Sequence, residues 1–399
     1  MFDRLIAWWT WGQDPRRPLP AETTRRMGQL TQQWRAVMLV ARAHLRQRLD
    51  ASLPWYLVVG PTGAGKSTLL ANAGLGLDSV ISNTAEPLAT ADGFTFWFND
   101  KAVFIEVAGR HFSDATAHRE WQALLWLIRR ERGHLPLSGV IIVKPLAEQL
   151  RRTPTEAAAD ATLTRDRLHA VADITGTVVP TYVVIAKADL LGGFKEFFAD
   201  SGYTDSKHVL GMTMLWPPER DPVHGLTVEY ERLLDSVRDR RIAALASTAN
   251  ESVQRKLMQF PGQMRAVLPF ITDYLAIVAR PRQESLPTLR GLYLTSIVPA
   301  PREALPMASP PVEEVDDSKS ITFDVPTKAA PGAVRIPTKP EPARAVLDNG
   351  PTTRFVHALF TRIFLADAAL VAVTPQVKRH WHLLRITCLG VIQIGRAHV

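Results

Sequence analysis

One run of this chain is equipped for phosphate chemistry: Gly60-Pro61-Thr62-Gly63-Ala64-Gly65-Lys66-Ser67-Thr68. Glycines at Gly60, Gly63 and Gly65 let the backbone turn tightly, so that N–H groups can converge without a Cβ intruding. Such a cluster of donors suits the β-phosphate of a nucleoside triphosphate. The spacing Gly60-x-x-x-x-Gly65-Lys66-Ser67 is the P-loop pattern, in which the lysine reaches the β- and γ-phosphates and the hydroxyl enters a Mg²⁺ shell. Residues 60–68 are therefore candidate nucleotide contacts, with Ser67 a candidate metal ligand. The cofactors implied are Mg²⁺ and either ATP or GTP.

A site of this kind needs a carboxylate at the end of a neighbouring strand. Ras-like GTPases carry it in Asp-x-x-Gly; this chain has Glu106-Val107-Ala108-Gly109. Glu106 is the candidate Mg²⁺ support beside Ser67, and the Gly109 N–H would report on the γ-phosphate. A glutamate is one methylene longer than aspartate, which displaces the carboxylate unless the backbone shifts. Arg110 stands where Ras-like proteins use a glutamine to orient water. A guanidinium accepts no proton, so Arg110 is a candidate for stabilising charge on the γ-phosphate, or for a salt bridge elsewhere. Lys66, Glu106 and Arg110 are the catalytic candidates, with His111 a substitute for orienting water. Thr84, Thr90 and Thr95 are candidates for a switch-loop hydroxyl. Ala186-Lys187-Ala188-Asp189 resembles the guanine-reading Asn/Thr-Lys-x-Asp motif: Asp189 would accept from the base and the Lys187 stem would cover it. The first position is alanine, so the choice between guanine and adenine stays open.

These residues need a scaffold that brings them together. Residues 56–59 read as a buried strand feeding the loop, and 68–73 as a helix whose N-terminal dipole faces the phosphates. Residues 83–93 fall where a switch loop belongs. Residues 94–98 and 102–107 read as strands joined by a turn at Asn99-Asp100. Helical spacing covers 117–132 and 155–172, the latter with Thr155 as N-cap, while 139–143 and 181–186 read as strands. This alternation predicts an α/β P-loop NTPase fold of the Ras-like GTPase type, a parallel-rich sheet with helices on both faces. Gly60, Glu106 and Lys187-Ala188-Asp189 all fall at carboxyl ends of strands, where such folds bind ligands. Residues 228–286 read as an all-helical extension punctuated by Pro261, Pro269 and Pro281, and 290–296 as a last strand or extended segment.

The chain divides into a membrane-proximal amphipathic helical segment (1–50), the P-loop domain (51–215), the helical extension (216–300), a proline-rich disordered linker (301–347) and a closing segment (348–399) that reads as a helix over 355–373 and then the truncated start of a membrane span. Trp8, Trp9 and Trp11 suit either a short interfacial helix or an arm packed on the domain. A net charge of +8 admits an acidic partner surface. The arginines are scattered along helices without interleaved aromatics, so no nucleic-acid partner is expected. Cys388 is the single cysteine, which excludes an intramolecular disulfide. No cleavable signal peptide and no complete membrane span is evident.

Several stretches together are similar to the TssM/IcmF/VasK family, the large inner-membrane component of the type VI secretion system. They are Leu53-Pro54-Trp55-Tyr56 running into the P-loop, Ala108-Gly109-Arg110, and Lys187-Ala188-Asp189-Leu190-Leu191-Gly192-Gly193-Phe194 with Phe197-Phe198. Phe260-Pro261 and Leu289-Arg290-Gly291-Leu292-Tyr293-Leu294-Thr295-Ser296 follow in order. The resemblance runs from residue 29 to 300, and more weakly from 355 to 370. It implies a cytoplasmic NTPase-like region of a bacterial inner-membrane protein, lying between a second and a third transmembrane helix and followed by a periplasmic region. The partners it implies are TssL-like and TssJ-like membrane-core subunits, baseplate components and further copies of the chain. Where the family has Asp-Thr-Ala-Gly-Arg-Tyr, this chain has Glu106-Val107-Ala108-Gly109-Arg110-His111, which points to binding more than to turnover. Lys378-Arg379-His380-Trp381 then reads as a cytoplasmic flank and the apolar run after it as the start of a third span. That run breaks off at Gln393, and residues 394–399 read as a translated sequencing adapter, so the chain is expected to be a piece of a longer protein. The function expected is a membrane-complex scaffold that binds NTP-Mg to support or regulate assembly or secretion. The alternative is a free-standing Ras-like GTPase or ATPase switch enzyme.

Overall fold

A computed structural model of the 399-residue chain describes residues 20–45, 53–81, 93–133, 135–199, 207–214, 222–281, 288–298 and 352–373. The expected arm at Trp8–Trp11, Thr84 and Thr90 of the switch stretch, the linker 301–347 and residues 374–399 lie outside them. The sheet is built around β1 (Trp55–Val59), buried along its whole length. It runs parallel to β4 (Val103–Val107) on one side and β5 (Gly139–Pro145) on the other. Next to β5 come β7 (Pro180–Ala186) and then β9 (Thr288–Leu294), both parallel. Antiparallel strands close the edges: β3 (Phe94–Phe98) pairs with β4 and carries β2 (Asp78–Ile81), and β8 (Gly211–Thr213) pairs with β9. The order is β2-β3-β4-β1-β5-β7-β9-β8, while β6 (Thr177–Val178) pairs separately with Ala372–Val373.

A parallel centre must be covered on both faces, and its strands are apolar on both. Trp55, Leu57 and Val59 point into one layer and Tyr56 and Val58 into the other. The first layer is helical: α1 (Ala21–Leu45), then α4 (His118–Arg132), α6 (Pro154–Thr175) and α9 (Glu251–Val278), with α8 (Pro222–Ala246) packed on α9. On α1, Leu30, Trp34, Val37, Met38 and Ala41 are buried, the helical spacing read from the sequence. The Trp34 ring meets Phe96 edge-on at 5.3 Å and Trp55 at 6.5 Å. The second layer holds the short α2 (Lys66–Ala71) and residues 356–365, where Val356, Leu359, Phe360 and Phe364 are fully buried. Burying each such phenylalanine contributes roughly 1.5–3 kcal/mol. Shorter helices, α3 (Gly109–Ser113), α5 (Leu146–Arg151) and α7 (Phe194–Phe197), follow β4, β5 and β7.

The mostly parallel α/β sheet is as expected, and four details correct the sequence reading. The N-cap of α6 is Thr153, not Thr155: its hydroxyl accepts from Glu156 N, Glu156 answers the Thr153 backbone, and Pro154 takes the first helical position. Pro261 and Pro269 do not punctuate helices but lie inside α9, whose buried stripe Leu257, Phe260, Met264, Val267, Ile271 and Leu275 runs past both. Packing of that stripe outweighs the lost backbone bonds. The two long helices are not an extension after the sheet, because the chain returns from α9 into β9 between β7 and β8. Nor is the closing segment one helix over 355–373: the structure gives a helix at Leu359–Phe364 and a strand at Ala372–Val373, and described residues 20–298 and 353–373 belong to one compact unit. Among the described residues no helix is long and apolar enough to cross a membrane.

Candidate nucleotide-binding site

The site is assembled where β1 ends. Gly60 leaves the strand with φ 148°, and a Cβ there would collide with the Val143 carbonyl of β5, so only glycine lets the loop turn beside the neighbouring strand. Gly63 and Gly65 follow with φ 76° and 93°. Ala64 N donates to Pro61 O at 3.2 Å, closing the turn. Thr62, Gly63, Ser67 and Thr68 are exposed on the loop's outer side, while Pro61, Ala64 and Lys66 are buried. The Lys66 ammonium lies across its own loop, donating to Gly60 O and Pro61 O at 3.0 Å each. Burial lowers its pKa, with the Glu106 charge opposing that shift.

Register places the carboxylate. Glu106 of β4 lies beside Val58 of β1, two residues before Gly60. Ser67 Oγ donates to Glu106 Oε1 at 2.6 Å, and the Trp97 indole N–H of β3 donates to Oε2 at 2.9 Å. The extra methylene thus brings the carboxylate onto the P-loop serine itself. A hydroxyl has one hydrogen and two lone pairs; with the hydrogen on Glu106, the lone pairs of Ser67 stay available to a cation. Thr95, directly opposite Glu106 on β3, is 2% exposed, and its hydroxyl has no hydrogen-bond partner among the described residues.

Gly109 opens α3 against the loop: a Cβ there would strike Thr62 N and Oγ1 and Pro61 C. The Glu-x-x-Gly stretch and the P-loop therefore touch at both of its ends. Arg110 and His111 turn to Glu120 of α4, which pairs with the Arg110 guanidinium and lies 3.1 Å from His111 Nδ1. Arg26 of α1 approaches the same carboxylate at 3.6 Å. Burial works to raise the Glu120 pKa, but hydrogen bonds from His111 and Arg110 and their charges win, holding it at about 2. Of the two roles open to Arg110, the salt bridge is the one it occupies. From α6, the buried Arg167 donates to Phe112 O at 3.4 Å and to Asp114 O at 2.5 Å, fixing the far end of α3.

The base-reading candidates also arrive at this edge. Lys187, with φ 61°, donates from Nζ to Gly63 O at 3.1 Å, which joins the two loops. Asp189 Oδ1 accepts from Ser296 Oγ at 2.9 Å, and Ala188 N donates to Thr295 O at 3.0 Å. Trp97, Glu120 and Ser296 are site residues to which no sequence motif assigns a role. Ser296 had a usable signal, since it stands just past the last parallel strand, level with the other strand-end loops; Trp97 and Glu120 had none.

The profile of the IcmF-related N-terminal domain matches residues 114–392, well over half of the chain. The chain belongs to the IcmF-related family. A curated relative is the type VI secretion system component TssM1 of Pseudomonas aeruginosa, 31% identical over 275 residues. That match covers 65% of this chain and 25% of TssM1, so the chain spans about a quarter of its relative's length. The family match takes in Glu120, Lys187, Asp189 and Ser296 and begins past the P-loop and Glu106. Among solved structures, an ADP-ribosylation factor-like GTP-binding protein, the small COPII coat GTPase SAR1 of Encephalitozoon cuniculi in complex with GDP, is 13% identical with TM-score 0.24. It covers 42% of this family member and 58% of its own chain. An NFeoB variant of S. thermophilus bound to GDP is 10% identical with TM-score 0.24, covering 57% and 97%. The fold of this IcmF-related chain rests on its own strand order.

Proposed function

We propose that residues 60–68 hold the phosphates of a nucleoside triphosphate with Mg²⁺, as the nucleotide-binding region of a type VI secretion membrane-complex scaffold. The observation that carries the reading is the Ser67–Glu106 hydrogen bond of 2.6 Å, which joins the P-loop to the Glu-x-x-Gly stretch. The residues present fit a Mg²⁺–phosphate group: Ser67 would ligate the metal, Glu106 would orient that hydroxyl, and the bound cation would neutralise phosphate charge. Lys66 is already at the loop and exchanges carbonyl partners for phosphate oxygens. Gly109 lies against Thr62, so α3 senses what fills the loop. Asp189, oriented by Ser296, favours guanine through acceptance from the base N–H groups, with the Lys187 stem alongside.

Binding, rather than turnover, is the activity proposed. Arg110 is paired with Glu120, and nothing at its position accepts a proton from water. The family supports the wider setting: the inner membrane with this region on the cytoplasmic side, TssL-like and TssJ-like subunits and baseplate components as partners, and self-association. Occupancy of the loop then biases α3 and, through Glu120 and Arg26, α1.

The test is calorimetric titration of the protein with GTP and ATP, each with Mg²⁺ and with EDTA. Lys66→Ala is expected to abolish binding, and GTP to bind more tightly than ATP. Equal heats for parent and Lys66→Ala would leave a scaffold without a nucleotide.

A further inference from the structure

Trp97 belongs to no motif, yet it is the only described group besides Ser67 that donates to the Glu106 carboxylate. We propose that Trp97 is a positioning residue for the divalent cation of this site, its indole N–H holding Glu106 where that carboxylate turns the Ser67 hydroxyl toward the metal. The proposal rests on the nucleotide-binding reading above.

The geometry follows from the β3–β4 ladder. Thr95 pairs with Glu106 and Trp97 with Phe104, so all four side chains share the face that carries α2. Trp97 is the diagonal neighbour of Glu106, within reach for a long aromatic side chain. A glutamate has enough rotatable bonds to miss its target, and Glu106 is 4% exposed, so bulk water does not readily replace a lost donor. One oxygen, Oε2, is fixed by the indole at 2.9 Å, which leaves Oε1 to receive the serine hydrogen at 2.6 Å. An indole N–H is only a donor. It cannot ligate the cation or take a proton from a water bound to it, so its effect passes through Glu106. The unpartnered Thr95 hydroxyl on the same face is a second polar group suited to a metal-bound water. Outer partners of this kind set the orientation of the groups that touch a metal, and losing one costs about 10–100-fold in metal affinity.

The experiment titrates Mg²⁺ into the nucleotide-bound full chain and compares the parent with Trp97→Phe, which keeps an aromatic ring on the same face and removes the donor. Nucleotide affinity in EDTA is expected to stay within about twofold, while the Mg²⁺ concentration for half-maximal effect rises about tenfold. In a Glu106→Gln background, Trp97→Phe should add less than about twofold, as a double-mutant cycle requires of a residue acting through its neighbour. An unchanged Mg²⁺ requirement in Trp97→Phe, or the same tenfold loss in both backgrounds, overturns the proposal alone. A parent that binds nucleotide identically with Mg²⁺ and EDTA overturns this proposal but not phosphate binding, and a parent that binds no nucleotide overturns both. One measurement needs no variant: the Trp97 indole N–H resonance of the parent should shift when Mg²⁺ is added to the nucleotide complex. A resonance that stays in place refutes the role even if Trp97→Phe does not fold.

Discussion

Glu106 and Glu120 show how one residue type takes two roles according to its donors. Glu106 receives a neutral hydroxyl and an indole N–H, and its geometry serves Ser67. Glu120 receives Arg110 and His111, and its charge is locked in place with a pKa near 2. The first contact was half legible in the sequence, because motif spacing put Glu106 and Ser67 at neighbouring strand ends. The second was not, since only helix packing brings Glu120 to Arg110, ten positions away. Stability should carry the signature of Glu120. Its ordinary value near 4.3 is depressed in the folded state, so the stabilisation is complete above about pH 4.3 and is lost as pH falls toward 2. Denaturant unfolding of the parent at pH 7 and pH 3 should show an acid loss that shrinks in Glu120→Gln. The same loss in both proteins would place the acid-sensitive contact elsewhere.

Strands were legible as elements because fully buried parallel strands read as short apolar runs, and β1, β5 and β7 differ from the expected spans by only a residue or two at most ends. Helix ends and breaks were less legible, as they depend on which of several similar signals is used. In Thr153-Pro154-Thr155-Glu156 both threonines could cap, and the reciprocal bonds between Thr153 and Glu156 decide it. The choice matters because α6 supplies Arg167, which holds α3 beside the loop. Removing the Thr153 hydroxyl leaves a backbone N–H without its cap, at a cost of about 1 kcal/mol. Thr153→Ala should therefore lower unfolding stability by about that amount, while Thr155→Ala should change it by less than about 0.5 kcal/mol. Equal losses from the two variants would return the cap to Thr155.

Across the whole molecule, the sequence hid how a late segment completes an early sheet. Residues 356–365 stand far along the chain from β1, and local apolar spacing gives no hint of what they cover. They cover the face carrying Tyr56, Phe104 and Tyr182, with the Phe360 ring 5.2 Å from Phe104 and the Phe364 ring 4.8 Å from Tyr182. Polar ties fix the register: Tyr56 OH donates to Phe364 O, Tyr182 OH to Asp367 at 3.2 Å, and Arg290 of β9 reaches both Asp367 oxygens at 2.7 and 3.1 Å. His357 Nδ1 also lies 3.0 Å from Ala73 O, just past the P-loop helix. The segment thus supports the same face from which Glu106 and Lys66 serve the loop. Asp367→Ala would leave the Arg290 charge largely buried without its carboxylate, which costs about 3 kcal/mol or more. Unfolding stability should drop by that amount, and limited proteolysis should cut near residues 355–373 before it reaches the strands. In the same variant the nucleotide affinity proposed for the loop should fall with temperature before the sheet melts, because the cover over α2 detaches first. A variant that keeps parental stability and cleavage pattern would show that the aromatic packing alone holds the segment.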